Sequence, residues 1–251
     1  IYAKPTQQSI HTNVSHNKTM RLSVAQVKPS KGKIQENIET HKSWVEVAIS
    51  QKVDFIVFPE LSLTGYEPEL AEELAIEKND SQLDEFQSIS DLNNITIGLG
   101  TPTRSKLGIH ISMMIFQPNQ IREVYSKQKL HSDELPFFVE GKKQLILTIG
   151  NKKVAPAICY ESLQKEHSKN AKNLGAEIYL VSVAKSQNGI NKAFIHFSKI
   201  AKDFSMPILM SNSIGVCDNF QSTGQSAIWD SSGDLKGKLE SNKEGILIFD
   251  T

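Results

Sequence analysis

The chain has too few cysteines to be stapled. Its 251 residues include only Cys159 and Cys217, which make no disulfide framework, so a buried free thiol is the ordinary expectation. It also lacks an excess of either charge, with 28 Lys and Arg against 28 Asp and Glu. A balanced chain has no long-range field with which to engage phosphate backbones, so no nucleic-acid partner is expected. Nor does any stretch approach the roughly 18–20 consecutive apolar residues of a membrane span. These absences leave a soluble, cytoplasmic globular protein with no membrane partner as the expectation. The length allows one large α/β domain or two small ones. Either size is ample for a core, since a chain this long buries roughly 70% or more of its unfolded surface.

Several familiar chemistries are missing too. The seven histidines include no pair at i,i+4, so the helical zinc pair of a metalloprotease is absent and no metal is expected. Gly98-Leu-Gly100 lacks the third glycine of a dinucleotide loop, and no GxxxxGK[ST] loop occurs. Gly224-Gln-Ser226 runs on into Ala-Ile without the second glycine of a nucleophile elbow.

What is present is an alternation of strands and helices. Residues 1–19 show almost no apolar periodicity and read as a flexible N-terminal extension or tag. The sequon-like Asn13-Val-Ser and Asn17-Lys-Thr within them carry no weight in a cytoplasmic protein. From Met20 onward Arg21 to Val27 reads as a strand, and Ile34, Ile38, Val45 and Ala48 recur at helical spacing over 33–51. Strands are predicted at 54–58, 95–99, 109–117 and 120–125, with one or two helices over 69–93. Segments 144–149 and 153–158 flank Gly150-Asn151 as a hairpin. A helix over 163–173, a strand at 177–182, a helix over 191–204 and a strand at 208–211 follow, with further strands near 225–229 and 245–249. No linker or repeat divides residues 20–251, which predicts a single mixed-sheet α/β domain.

In open α/β sheets ligands gather beyond the carboxyl ends of strands. Val57-Phe-Pro-Glu60 puts a carboxylate there, Val124-Tyr-Ser-Lys127 an ammonium, and Ala155-Pro-Ala-Ile-Cys159 a thiol. Singly, each has an ordinary structural explanation. Their wording is specific, however. Val57-Phe-Pro-Glu-Leu-Ser-Leu-Thr-Gly-Tyr66 resembles the first signature of the carbon–nitrogen hydrolase (nitrilase) superfamily. Tyr125-Ser-Lys-Gln-Lys-Leu130, with Glu134 and Phe138-Val-Glu-Gly141, resembles the second, and Ala157-Ile-Cys-Tyr-Glu161 the third. All three stand in the family's order, and the resemblance covers residues 20–251.

The resemblance implies a four-layer α-β-β-α sandwich with mixed sheets, assembled as a homodimer. It also implies a Glu-Lys-Cys triad working on a small-molecule amide without a cofactor. An amide is a poor electrophile with a poor leaving group, so its hydrolysis gains from passing through a thioester. Cys159 would be the nucleophile and Glu60 the general base and acid. Lys127 would hold the oxyanion together with the backbone N–H of Tyr160. Glu134 would orient the lysine or contact substrate, although a loop carboxylate is an equal reading of the residues alone. Glu161 is expected to build the turn behind the cysteine, Tyr66 and Asn212 to be structural, and Cys217 to be a spectator in a polar loop.

Cys-Tyr-Glu in place of Cys-Trp-Glu leans toward amides, with nitriles and N-carbamoyl amines as alternatives and a non-catalytic scaffold as another. Ser126, Lys129, Ser162-Leu-Gln-Lys165, Val181-Ser-Val-Ala-Lys-Ser186 and Ile200 depart from common family residues, and these changes bear on substrate choice. Lys185 follows a strand expected beside the cysteine strand and is a candidate for attracting a substrate carboxylate. A loop lysine is nonetheless ordinarily a surface charge. Lys129 is a candidate for the same part.

Overall fold

The computed structural model describes residues 19–251; the expected N-terminal extension, Thr19 apart, and both sequons lie outside the described residues. Strand β1 (Arg21–Gln26) leads to helix α1 (Ile34–Ser50), which buries Ile38, Val45 and Ala48 as their spacing predicts. Then come β2 (Phe55–Val57), the short α2 (Ala71–Leu74), α3 (Asp84–Asn93), β3 (Thr96–Ser105), β4 (Gly108–Phe116) and β5 (Glu123–Ser126). The second half runs β6 (Leu147–Ile149), β7 (Lys152–Ile158), α4 (Lys165–Asn173), β8 (Ile178–Val183), α5 (Gln187–Phe204) and β9 (Ile208–Asn212). It closes with β10 (Ile214–Cys217), β11 (Phe220–Thr223), β12 (Ala227–Trp229), β13 (Leu235–Lys238) and β14 (Gly245–Asp250).

Two six-stranded mixed sheets form, in the orders β14-β1-β2-β3-β4-β5 and β13-β12-β9-β8-β7-β6. In each, three neighbouring strands are parallel: β1-β2-β3 in one and β7-β8-β9 in the other. The period of two along each strand explains the layering. Leu22, Val24, Phe55 and Val57 join Val154, Ile158, Leu180 and Leu209 in a core between the sheets. Their outward neighbours pack under helices: Ile56, Ile97 and Leu99 with Ile38, Val45 and Phe86, and Tyr179, Val181 and Met210 with Ile190 and Phe197. Both faces of each sheet are therefore buried, giving the expected α-β-β-α sandwich. Among the described residues no helix is long and apolar enough to cross a membrane.

The one or two helices expected over 69–93 are two, α2 and α3, each led into by a 3₁₀ turn. Two readings of the sequence need correction. Val216 to Thr223 is no polar loop; the β10–β11 hairpin stands there, with Cys217 buried at its turn. Edge strand β13 was also missed, because Leu235-Lys-Gly-Lys238 has no apolar alternation and faces solvent for most of its length.

One close approach fixes the loop after β2. A Cβ at Gly100 would lie 2.1 Å from the carbonyl oxygen of Pro59 and 2.6 Å from the nitrogen of Leu61. The bare backbone of β3 is what lets Leu63 N–H donate to Gly100 O at 2.9 Å. Gly100→Ala is expected to push this loop off the sheet and cost about 1–3 kcal/mol, the usual price of overpacking. Urea denaturation reads that loss; an unchanged midpoint contradicts the packing argument.

Candidate active site

The three strand-end groups do converge. β5 runs parallel to β3 through two antiparallel steps, so Glu60 and Lys127 lie beyond carboxyl ends of strands pointing the same way, and Cys159 follows the carboxyl end of β7 in the facing sheet. Lys127 is fully buried, and its Nζ donates to Glu60 Oε1 at 2.7 Å and to Glu134 Oε1 at 2.6 Å. Glu134 is held in turn: Tyr66 OH donates to its Oε1 at 2.8 Å and His131 N–H to its Oε2 at 2.7 Å. An ammonium has three donors, and these two carboxylates take two of them.

Glu60 divides its oxygens. Oε1 accepts from Lys127, while the buried Oε2 has no hydrogen-bond partner. The Cys159 thiol favours the charged form of this carboxylate, with no hydrogen bond formed between them. Burial raises the pKa of Glu60; the Lys127 charge opposes that, and the Glu134 charge adds to it. For Lys127, burial favours the neutral amine but is outweighed by Glu60, Cys159 and Glu134, so its pKa is raised and it stays charged.

Cys159 follows β7 at a sharp turn. Its φ is +46°, in the left-handed region where a side chain is strained by about 1–3 kcal/mol. The turn lets the residue keep contact with solvent while Ile158 before it is buried. Burial of the thiol, and then the Glu60 charge, push its pKa up to about 11 against the pull of Lys185 and Lys127. The resting sulfur is therefore a neutral thiol.

Glu161 ties the cysteine and lysine segments together. Its Oε1 accepts from Ile158 N–H at 2.7 Å and Tyr125 OH at 2.6 Å, and its Oε2 from Gln128 N–H at 2.5 Å. One carboxylate thus grips the residue before Cys159 and the residue after Lys127, the turn-building role expected of it. Burial pushes Glu161 up to about 7 despite these donors.

Two supporting residues escaped the sequence reading. On the buried face of α1, Asn37 Nδ2 donates to Leu63 O at 2.9 Å, and His41 Nε2 lies 2.8 Å from Ser62 Oγ. They hold the loop that carries Glu60. Burial drives His41 down to about 4, so it is neutral there. The available signal was a polar pair at i,i+4 on the inward face of an otherwise apolar helix stripe.

The remaining candidates separate clearly. Lys185 is buried, with Nζ 3.6 Å from Cys159 Sγ, so the ordinary expectation of a surface charge is corrected. Lys129 goes the other way: its side chain is 62% exposed and faces Glu140 at 3.8 Å, so it does not serve the pocket. Tyr160 stands half-exposed at the rim, edge-on to His131. Asn212 is structural, as expected; Cys217 lies beside Ser213 Oγ at 3.8 Å. Among the described residues no group of three or more His, Cys, Asp or Glu is arranged to hold a metal ion. A cleft of about 440 Å³ lined by Met20, Asp54, Thr96, Gln117 and Thr148 opens at the opposite end of the strands, away from this chemistry.

A layered fold of this kind, with a thiol, a carboxylate and an ammonium at one end of its paired sheets, is that of the nitrilase-type hydrolases. The Carbon-nitrogen hydrolase family profile matches residues 21–251, and the chain belongs to that family and is a carbon–nitrogen hydrolase. It is 26% identical over 243 residues to a glutamine-dependent NAD(+) synthetase of Thermotoga maritima, covering 93% of this chain and 42% of that protein. A second such synthetase, from Acinetobacter baylyi, is 25% identical over 242 residues, covering 91% and 43%. The chain therefore spans about two-fifths of the length of these curated relatives. Among solved structures, an amidase from Nesterenkonia sp. AN1 in complex with butyramide superposes with a TM-score of 0.84 at 20% identity, covering 92% of this chain and 90% of that one.

Because the thiolate is the nucleophile, alkylation of Cys159 by iodoacetamide is expected to quicken about tenfold per pH unit up to about pH 11. A plateau near the roughly 8.5 of an ordinary thiol contradicts the assigned environment.

Proposed function

We propose that the protein hydrolyses a small carboxamide through a thioester on Cys159. The observation that carries this reading is the division of Glu60: one oxygen fixed on Lys127, the other buried and unpartnered beside a neutral thiol. Glu60 Oε2 takes the proton of Sγ as the sulfur attacks the carbonyl carbon, so no free thiolate has to persist in a site that disfavours it. The third N–H of Lys127 and the backbone N–H of Tyr160 receive the oxyanion. As the tetrahedral intermediate collapses, Glu60 returns the proton to the leaving nitrogen, and ammonia or an amine departs. Glu60 then deprotonates water, which cleaves the thioester to give the carboxylic acid and the thiol. Glu134 positions Lys127 for both halves.

The amidase likeness supports a carboxamide over a nitrile or an N-carbamoyl amine, and the intact set of three groups speaks against a non-catalytic scaffold. The synthetase relatives favour a second reading, in which the amide is that of glutamine and the ammonia is handed on to another domain or chain. Ammonia release from a panel of butyramide, glutamine, butyronitrile and N-carbamoyl amino acids tests these readings. Turnover of a carboxamide is expected, with kcat/KM for Lys127→Met lower by about 10²–10³, as for loss of an oxyanion donor. Turnover of the nitrile or carbamoyl compounds alone, or of none of the panel, overturns the proposal.

A further inference from the structure

The mechanism above uses one lysine, yet two are buried around the sulfur. Lys185 is 6% exposed. Its Nζ has a single polar neighbour within hydrogen-bond distance among the described residues, the Cys159 sulfur at 3.6 Å. Sulfur is a weak acceptor, so an ammonium with three donors is left short of partners in a place where burying a charge unpaired is costly. Lys127, by comparison, is capped by two carboxylates.

Lys185 is also built in. Its N–H donates to Asn212 Oδ1 at 2.8 Å, and its carbonyl accepts from Thr223 N–H at 3.1 Å and Ser222 Oγ at 3.2 Å. The aliphatic stem lies against Gly189 in the first turn of α5, where a Cβ would come within 3.2 Å of Lys185 Cβ. The fold thus fixes both the backbone of Lys185 and the root of its side chain. Such preorganisation marks a group that meets a ligand.

We propose that Lys185 binds a carboxylate of the substrate, which makes the substrate class the short monoamides of dicarboxylic acids. This deepens the reading of Cys159 as the nucleophile and rests on it. The acyl carbon sits one bond from Sγ in the thioester, so a carboxylate one or two carbons beyond it comes within reach of Nζ. Electrostatics agree with the geometry. Two carboxylates, Glu60 and Glu134, face the single ammonium of Lys127, an arrangement that does not by itself favour an anionic substrate. Lys185 adds a second cation and faces the nucleophile with two of its three donors unspent.

The test compares iodoacetate, whose carboxylate is bonded to the carbon that sulfur attacks, with neutral iodoacetamide on the full chain. Peptide mass spectrometry counts only label on Cys159. The folded wild-type protein is expected to favour iodoacetate more strongly than its urea-unfolded form does, a comparison that needs no variant. Lys185→Met is expected to lower the iodoacetate-to-iodoacetamide rate ratio by roughly tenfold to a hundredfold, the worth of a hydrogen bond to a charged group, and Lys185→Arg to restore most of it. In turnover, the same Met variant is expected to raise KM for succinamate by a larger factor than KM for butyramide.

Equal ratios in folded and unfolded wild type overturn the proposal. So does a Lys185→Met protein in which both reagents slow together, since that outcome makes Lys185 a counter-charge for the thiolate alone. Failure to release ammonia from any amide leaves the alkylation ratios readable, so it strikes the proposed reaction and not the anion site.

Discussion

A single buried ammonium organises this end of the molecule. Lys127 lies between Glu60 and Glu134 with no contact to water, and its charge opposes the rise that burial imposes on the Glu60 pKa. Removing one member of such a cluster strands the others, at a cost of about 3–5 kcal/mol for a broken buried pair. The cluster costs stability to desolvate. In exchange it engages one oxygen of Glu60 and leaves the other buried without a partner. The carboxylate is positioned by the same bond that keeps the cation charged.

Around that bond the fold supplies rigidity from three directions. α1 reaches in with Asn37 and His41 to hold the Glu60 loop. Ser182 of β8 donates to Phe58 O at 2.8 Å, linking the second sheet to the strand end before Glu60. Glu161 spans the cysteine turn and the lysine segment. Each is a buried polar group whose partners come from a different part of the chain, and together they set the relative positions of two sheets that otherwise meet through apolar packing. Strain at Cys159 is sustained by the hold of Glu161 on Ile158 just before it.

The convergent chemistry was legible because it follows apolar runs: a strand that ends in Pro-Glu, Ser-Lys or Ile-Cys announces a functional group at a sheet end, and the order of the three signatures did the rest. Helices α1 and α5 were legible from their 3.6-residue spacing. The β10–β11 hairpin and β13 were not, because edge and surface ribbons need no apolar alternation to form a ladder. The two lysines show the deeper limit. Lys129 and Lys185 are both loop residues with one polar and one apolar neighbour, and local sequence cannot say which points inward. What buries Lys185 is the close approach of Gly189 and the backbone bonds to Asn212, Ser222 and Thr223, contacts that exist only once β8, β9 and β11 are assembled.

The central claim is that the sulfur of Cys159 carries the acyl group during turnover. Acid-quenched wild-type protein taken during steady-state hydrolysis of butyramide, digested and mapped by mass spectrometry, tests it most directly. The account predicts a butyryl group on the peptide containing Cys159, absent from Cys159→Ala, which releases no ammonia. A butyryl group on any other residue, or undiminished ammonia release by Cys159→Ala, would contradict it.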